Sequence, residues 1–140
     1  MRFATSFSVD AEPAEVYAHL RDPSNYVGLA PLVVAVRDIR EVGDDIGYVA
    51  VERFRLGPFR WDNPIRVTMT GVPDREITSR VVSPGGVRLT AVLRLAPAEG
   101  GSEVTEDVEV LAPWPLRRFV VAKAREAAAG RATELARRFA

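Results

Sequence analysis

Residues 86–115 read GVRLTAVLRLAPAEGGSEVTEDVEVLAPWP, and their alternation decides the fold. Residues 87–95 and 102–111 each alternate at a period of two, as strands with two unlike faces do. The APAEGG between them is a hairpin turn. In the second strand Val104, Val108 and Val110 share one face, and Glu103, Thr105, Asp107 and Glu109 share the other. Arg88, Thr90 and Arg94 point outward on the first strand. The outer face is therefore a solvated one with opposite charges paired across strands, each pair contributing about 0.2–1 kcal/mol. Glu106 breaks the pattern, because it is a carboxylate on the valine face.

Upstream of this hairpin, turn residues punctuate more strand-like runs. LVVAVRDIREV closes on GDD, GYVAVERFRL on GPF, RWDNPIRVTMTGV on PD, and REITSRVV on SPGG. Such short spacing predicts antiparallel hairpins, not βαβ units. Pro64 places an edge or a bulge inside its strand. RFATSFSV at residues 2–9 is the first strand, with Phe3, Phe7 and Val9 on one face. DAEPAEVYAHL then predicts a short helix with Asp10 as N-cap, Pro13 in the first turn, and Glu12 and Glu15 at its positive end. One more helical turn starts at Pro23 and breaks at Gly28 and Pro31.

The chain closes with a long helix from about Pro115 to Phe139. Leu116, Phe119, Val120, Ala124, Ala127, Ala128, Leu135 and Phe139 form its apolar stripe. The order is one strand, two short helices, six strands and a long helix, in a single α+β domain over residues 1–140. A helix is about 10 Å wide, and seven strands at about 4.8 Å spacing are far wider. The sheet must curl around the helix, which readily leaves an internal space. Ala124, Ala127 and Ala128, with Gly130 beside them, either let the helix pack tightly or leave room beneath it, between the larger Phe119 and Leu135.

Composition narrows the chemistry. The 140 residues are 47% hydrophobic and 27% charged, enough for a real core in a soluble chain. There is no cysteine and a single histidine, which excludes thiolate chemistry and a multi-histidine metal site. His19 is out of phase with Val16 and Leu20 and reads as a surface residue without a nucleophile. There is no HExxH, CxxC, acidic metal cluster or glycine-rich phosphate loop, so no metal or cofactor is implied. Net charge is zero, but residues 113–140 carry an excess of five basic groups and the rest an equal acidic excess. A basic helix docked on an acidic sheet explains this better than nucleic-acid binding does. No apolar run approaches the roughly 20 residues of a membrane span, and the start lacks a signal-peptide plan. A cytoplasmic protein without membrane insertion is expected, with monomer and dimer both open. All but one of the nineteen basic residues are arginine, as in high-GC bacterial genomes.

Three stretches carry a resemblance. FSVDAEPAEVYAHLRDPSNY, GVRLTAVLRLAPAEGGSEVTEDVEV and APWPLRRFVVAKAREAAAGRATELARRF resemble the first strand and helix, the long hairpin, and the closing helix of the helix-grip superfamily. That superfamily (SRPBCC) includes START domains, the birch-pollen allergen and bacterial polyketide cyclase/dehydrase-like proteins. The resemblance implies a curved seven-stranded antiparallel sheet around a C-terminal helix, with a hydrophobic cavity between them. It implies a hydrophobic small-molecule or lipid-like partner. Aromatase/cyclase members steer a polyketone with tryptophan, tyrosine and arginine, and Trp61 and Arg66 in RWDNPIR stand in the corresponding strand.

Candidate site residues follow from these two lines. Glu106 pairs with an inward Arg80, Arg66 or Arg53, or serves as a polar ligand handle, or acts as an acid–base group, or is solvated at a bulge. Tyr48 is the other candidate acid–base group. Tyr26, Tyr48, Phe54, Trp61, Met69, Leu89, Leu93, Val108, Phe119 and Ala127 are expected to line the cavity, with Trp114 capping one end. Arg66, Arg80 or Glu106 would orient polar groups of the ligand. A carrier is the first reading, a cyclase- or dehydrase-type enzyme the second, and an interaction module with a filled core the third.

Overall fold

The alternating stretches form seven strands of one antiparallel sheet in a computed structural model that describes residues 1–140. The elements are β1 (Arg2–Val9), α1 (Pro13–Arg21), a 3-10 turn (Pro23–Tyr26), β2 (Val33–Val42), β3 (Asp45–Leu56), β4 (Phe59–Val72), β5 (Glu76–Ser83), β6 (Val87–Ala98), β7 (Gly101–Leu111), a second 3-10 turn (Trp114–Leu116) and α2 (Arg117–Arg138). The sheet order is β1-β7-β6-β5-β4-β3-β2, so β1 crosses to pair with the last strand. Helix α2 then lies across the concave face. This is the helix-grip architecture.

Strand β7 keeps the parity read from sequence. In β7 burial alternates along the whole strand, with Ser102, Val104, Glu106, Val108 and Val110 inward. The outer face pairs charges as expected, with Arg2 donating to Glu109 at 2.7 Å and Arg94 bridging Asp107. Pro64 pairs with Val51 of β3, whereas β4 meets β5 only from Arg66 onward. Its missing N–H therefore costs no ladder bond on the open side.

Helix α1 departs from expectation. Its N-cap position is Glu12, with no side-chain cap, and not Asp10. Pro13 at the first helical position forces the residue before it into an extended conformation, and Glu12 has φ −64° and ψ 150°. The side-chain cap appears one helix later, where Asp22 accepts from the Ser24 amide at 2.9 Å. His19 is also not a free surface residue. Its ring lies edge-on to Phe139 at 5.3 Å, and its Nε2 accepts from Arg138 at 3.1 Å.

Helix α2 starts at Arg117, after the turn that contains Pro115. Of the predicted stripe, Ala124, Ala128 and Leu135 are fully packed, whereas Leu116 and Phe119 are exposed. Ala124 and Ala128 sit on Phe3, Val108 and Val110 in a small cluster. Leu135 joins a larger one with Leu20, Leu29, Met69 and Ile77, closed from below by α1. Burying each such aliphatic side chain contributes about 1.5–3 kcal/mol. A Cβ at Gly130 would stand 2.7 Å from Cγ of Pro31, so the glycine lets α2 rest on the loop before β2. The helix is thus fixed at its middle by Ala124 and Ala128 and near its C-terminal end by Leu135.

Candidate functional site

Against both clusters the concave face and α2 border a cavity of about 320 Å³. Twenty of its 28 lining residues are hydrophobic. Its space comes from small side chains at inward positions: Ala50 on β3, Ala91 on β6, and Ala124 and Ala127 on α2. The concave face is therefore not fully packed, which favours the first two readings of the sequence over the third.

The buried carboxylate sits inside this space. Glu106 has no exposed surface, and both its oxygens accept from Arg131 of α2. Arg131 Nε donates to Oε2 at 2.9 Å and Nη2 donates to Oε1. Both residues line the cavity, and the Arg131 side chain keeps 16% exposure. Burial disfavours the Arg131 cation, but the adjoining Glu106 carboxylate more than offsets this and holds its pKa above the usual arginine value. The expected partners are corrected. Arg66 and Arg80 are exposed on the outer face, and Arg53 is engaged with Asp62 at 2.9 Å. Strand parity explains this, since Ile65 and Val67 beside Arg66, and Ser79 and Val81 beside Arg80, are the cavity-facing positions.

Arg131 was missed, although a signal existed. It falls on the same helical stripe as Ala124, Ala127, Ala128 and Leu135, an arginine on the apolar face just as Glu106 is a glutamate on one.

Two tyrosines stand near the pair. Tyr26 donates its hydroxyl to the Leu20 carbonyl at 2.7 Å, and its ring lies 6.2 Å from that of Tyr48. Burial pushes both phenols well above the ordinary tyrosine value. Both remain neutral hydroxyls, able to donate and unable to act as bases at neutral pH. Beside Glu106 on β1, Thr5 Oγ1 is the one buried side-chain polar atom without a partner.

A second polar group was also missed. Glu52 of β3 and Asn63 of β4 face each other in register, and both line the cavity. Asn63 Nδ2 donates to Glu52 at 3.4 Å and to Ser83 Oγ at 3.2 Å. Burial raises the Glu52 pKa, and the bond from Asn63 partly opposes that. Period-two reading of Tyr48, Ala50, Glu52 and Phe54 carries the same signal as Glu106 did.

The mouth is aromatic. Phe54 stacks on Trp61 at 5.5 Å and meets Phe119 of α2 at 6.2 Å. Trp61 and Phe119 are about half exposed, at 46% and 52%. Of the residues expected at the site, Tyr26, Tyr48, Phe54, Trp61, Leu89, Leu93, Glu106, Val108, Phe119 and Ala127 surround one cavity. Four do not. Arg66 and Arg80 face outward, Met69 is sealed in the larger core cluster, and Trp114 is 80% exposed beyond the mouth. The 3-10 turn swings Trp114 away and leaves Leu116 at the cavity.

The family model described as polyketide cyclase/dehydrase and lipid transport matches residues 1–140, and the chain belongs to that family. No curated protein sequence matches it. Solved structures share the fold at low identity. A Thermus thermophilus protein, TTHA0849, has a TM-score of 0.80 at 16% identity, over 99% of this chain and 97% of that one. The aromatase/cyclase Zhui from Streptomyces sp. R1128 has a TM-score of 0.76 at 15% identity, over 96% and 90%. The di-domain aromatase/cyclase StfQ of steffimycin biosynthesis has a TM-score of 0.71 at 13% identity, and this chain spans 98% of itself but only half of StfQ.

Proposed function

We propose that this member of the polyketide cyclase/dehydrase and lipid-transport family holds an apolar small molecule, lipid-like or polycyclic, between its sheet and α2. The observation that carries the reading is a 320 Å³ apolar cavity with a bidentate ion pair in its wall. A protein does not keep a fully buried carboxylate in an apolar space without a partner, since the desolvation cost is several kcal/mol. Arg131 supplies that partner and still has unused N–H groups for a ligand oxygen. Apolar ligand surface removed from water contributes about 25 cal/mol per Å², before association costs. The pair and Tyr48 orient the polar end.

The experiment is native mass spectrometry of the purified protein, followed by denaturation and extraction. A co-purified apolar molecule is expected, and the Glu106→Leu/Arg131→Met double variant, which removes both charges together, loses it. A protein that purifies empty, with no thermal shift across fatty acids and aromatic polyketides, overturns the reading.

A second reading, cyclisation of a bound polyketone, draws on Tyr48, a neutral hydroxyl positioned to donate to a carbonyl oxygen. Glu106 is a poor base for it, because both oxygens are already held by Arg131. Tyr48→Phe would then abolish turnover while leaving polyketone binding within a few-fold.

A further inference from the structure

We infer that Glu52, Asn63 and Ser83 form a second polar subsite in the cavity, which accepts a hydroxyl on the mouth-side end of the ligand. The inference rests on the carrier reading above. Its starting point is an incomplete set of hydrogen bonds. The Asn63 amide nitrogen has two N–H groups, and both are spent, one on Glu52 and one on Ser83. The Glu52 carboxylate receives only that single long bond, to Oε1, and enters no ion pair. Its neighbour Arg53 is turned to the other face and bound to Asp62, and Lys123 across the mouth is tied to Glu126 at 3.4 Å. Thr5 Oγ1 is the one buried side-chain atom left without a partner, so the free Glu52 oxygen is not sealed in protein and opens on the space it lines.

The chemistry of the three groups selects the ligand group. A carboxylate only accepts, and a half-buried one with a single donor gains from a second. Burial pushes the Glu52 pKa up, as expected of a carboxylate short of donors. A ligand hydroxyl can donate to Glu52, and the Ser83 hydroxyl can turn to meet its oxygen. A ligand carboxylate at the same place is repelled. The far end of the cavity has the opposite preference, since Arg131 and Tyr48 offer donors to an acceptor oxygen. Glu52 and Tyr48 are four residues apart on one strand face, about 13 Å at the usual rise. The ligand that satisfies both ends has an apolar body with an acceptor oxygen at the deep end and a hydroxyl near the aromatic mouth. A simple fatty acid, whose one polar group is an anion, satisfies only the deep end.

The test is quenching of Trp61 fluorescence in a Trp114→Phe background, which removes the exposed tryptophan away from the cavity. The probes are 2-(hydroxymethyl)anthraquinone and its methyl ether, at neutral pH. The alcohol is expected to bind about tenfold tighter, the usual effect of one hydrogen bond to a charged acceptor. Glu52→Leu brings the two probes within about twofold by weakening the alcohol and not the ether, and Glu52→Gln falls between. Equal binding of both probes to the Glu52 protein, or a preference that survives Glu52→Leu, overturns the subsite and leaves the carrier reading standing. Saturable binding of neither probe overturns the subsite, and the carrier reading falls with it when fatty acids and aromatic polyketides also give no thermal shift.

Discussion

Glu106 and Arg131 form an unequal pair. The carboxylate is fully enclosed, whereas the guanidinium keeps some contact with the cavity. Removing one partner of a buried pair typically costs about 3–5 kcal/mol, because a buried charge is left alone. Arg131→Met is expected to sit at the upper end of that range, since Glu106 cannot reach water. Glu106→Leu is expected to cost less, since Arg131 can. The double variant should recover most of the loss. Urea denaturation of the three proteins checks this, and additive single effects would argue against a coupled pair. At this scale the sequence was partly legible. The valine alternation around Glu106 exposed an inward carboxylate, whereas the expectation of an inward Arg66 or Arg80 was wrong, because their strand neighbours Ile65, Val67, Ser79 and Val81 take the cavity-facing positions. The true partner lay on a helix, and no strand pattern says which helical residue lands over which strand residue.

The elements are held by contacts of a few small or polar groups. Alanine in place of Gly130 would gain about 1 kcal/mol of helix propensity. Its Cβ would nonetheless press on Pro31, and overpacking costs about 1–3 kcal/mol. Gly130→Ala is therefore expected to lower the melting temperature, and a rise would show that the loop yields freely. Helix α2 also meets α1 through His19, Phe139 and Arg138. Partial burial of the ring, and then repulsion from Arg138 against a weaker pull from Asp22, hold the His19 pKa below 6.5. The unfolded chain thus binds this proton more readily than the folded one. The stability His19 contributes is complete above about pH 6.5 and is lost as pH falls below it toward the folded value. The melting temperature should drop over that interval, and His19→Gln should flatten the drop. An unchanged slope in the variant would assign the acid sensitivity to other groups. Both contacts join segments more than a hundred residues apart in the chain, which is why His19 reads as a surface residue from its own helix alone.

At the scale of the whole molecule, the cavity lies where the small side chains Ala50, Ala91, Ala124 and Ala127 leave room between the sheet and α2. Ala127 faces that gap from the helix. Ala127→Phe is expected to fill the space, keep or raise the melting temperature, and abolish uptake of a co-purifying apolar molecule by native mass spectrometry. Retained uptake would place the ligand outside the cavity. The family match and the low-identity structural neighbours agree with this architecture. The sequence by itself determined the order and type of the elements, the parity of the long hairpin and the presence of a charge on an inward face. Those follow from periods of 2 and 3.6 residues, which are local properties of the chain. Only the tertiary structure decided that Arg131 answers Glu106 and that the centre stays open. Each of these depends on how far a twisted sheet curves and where one helix crosses it. Those distances are set by contacts between distant segments, and no local pattern records them.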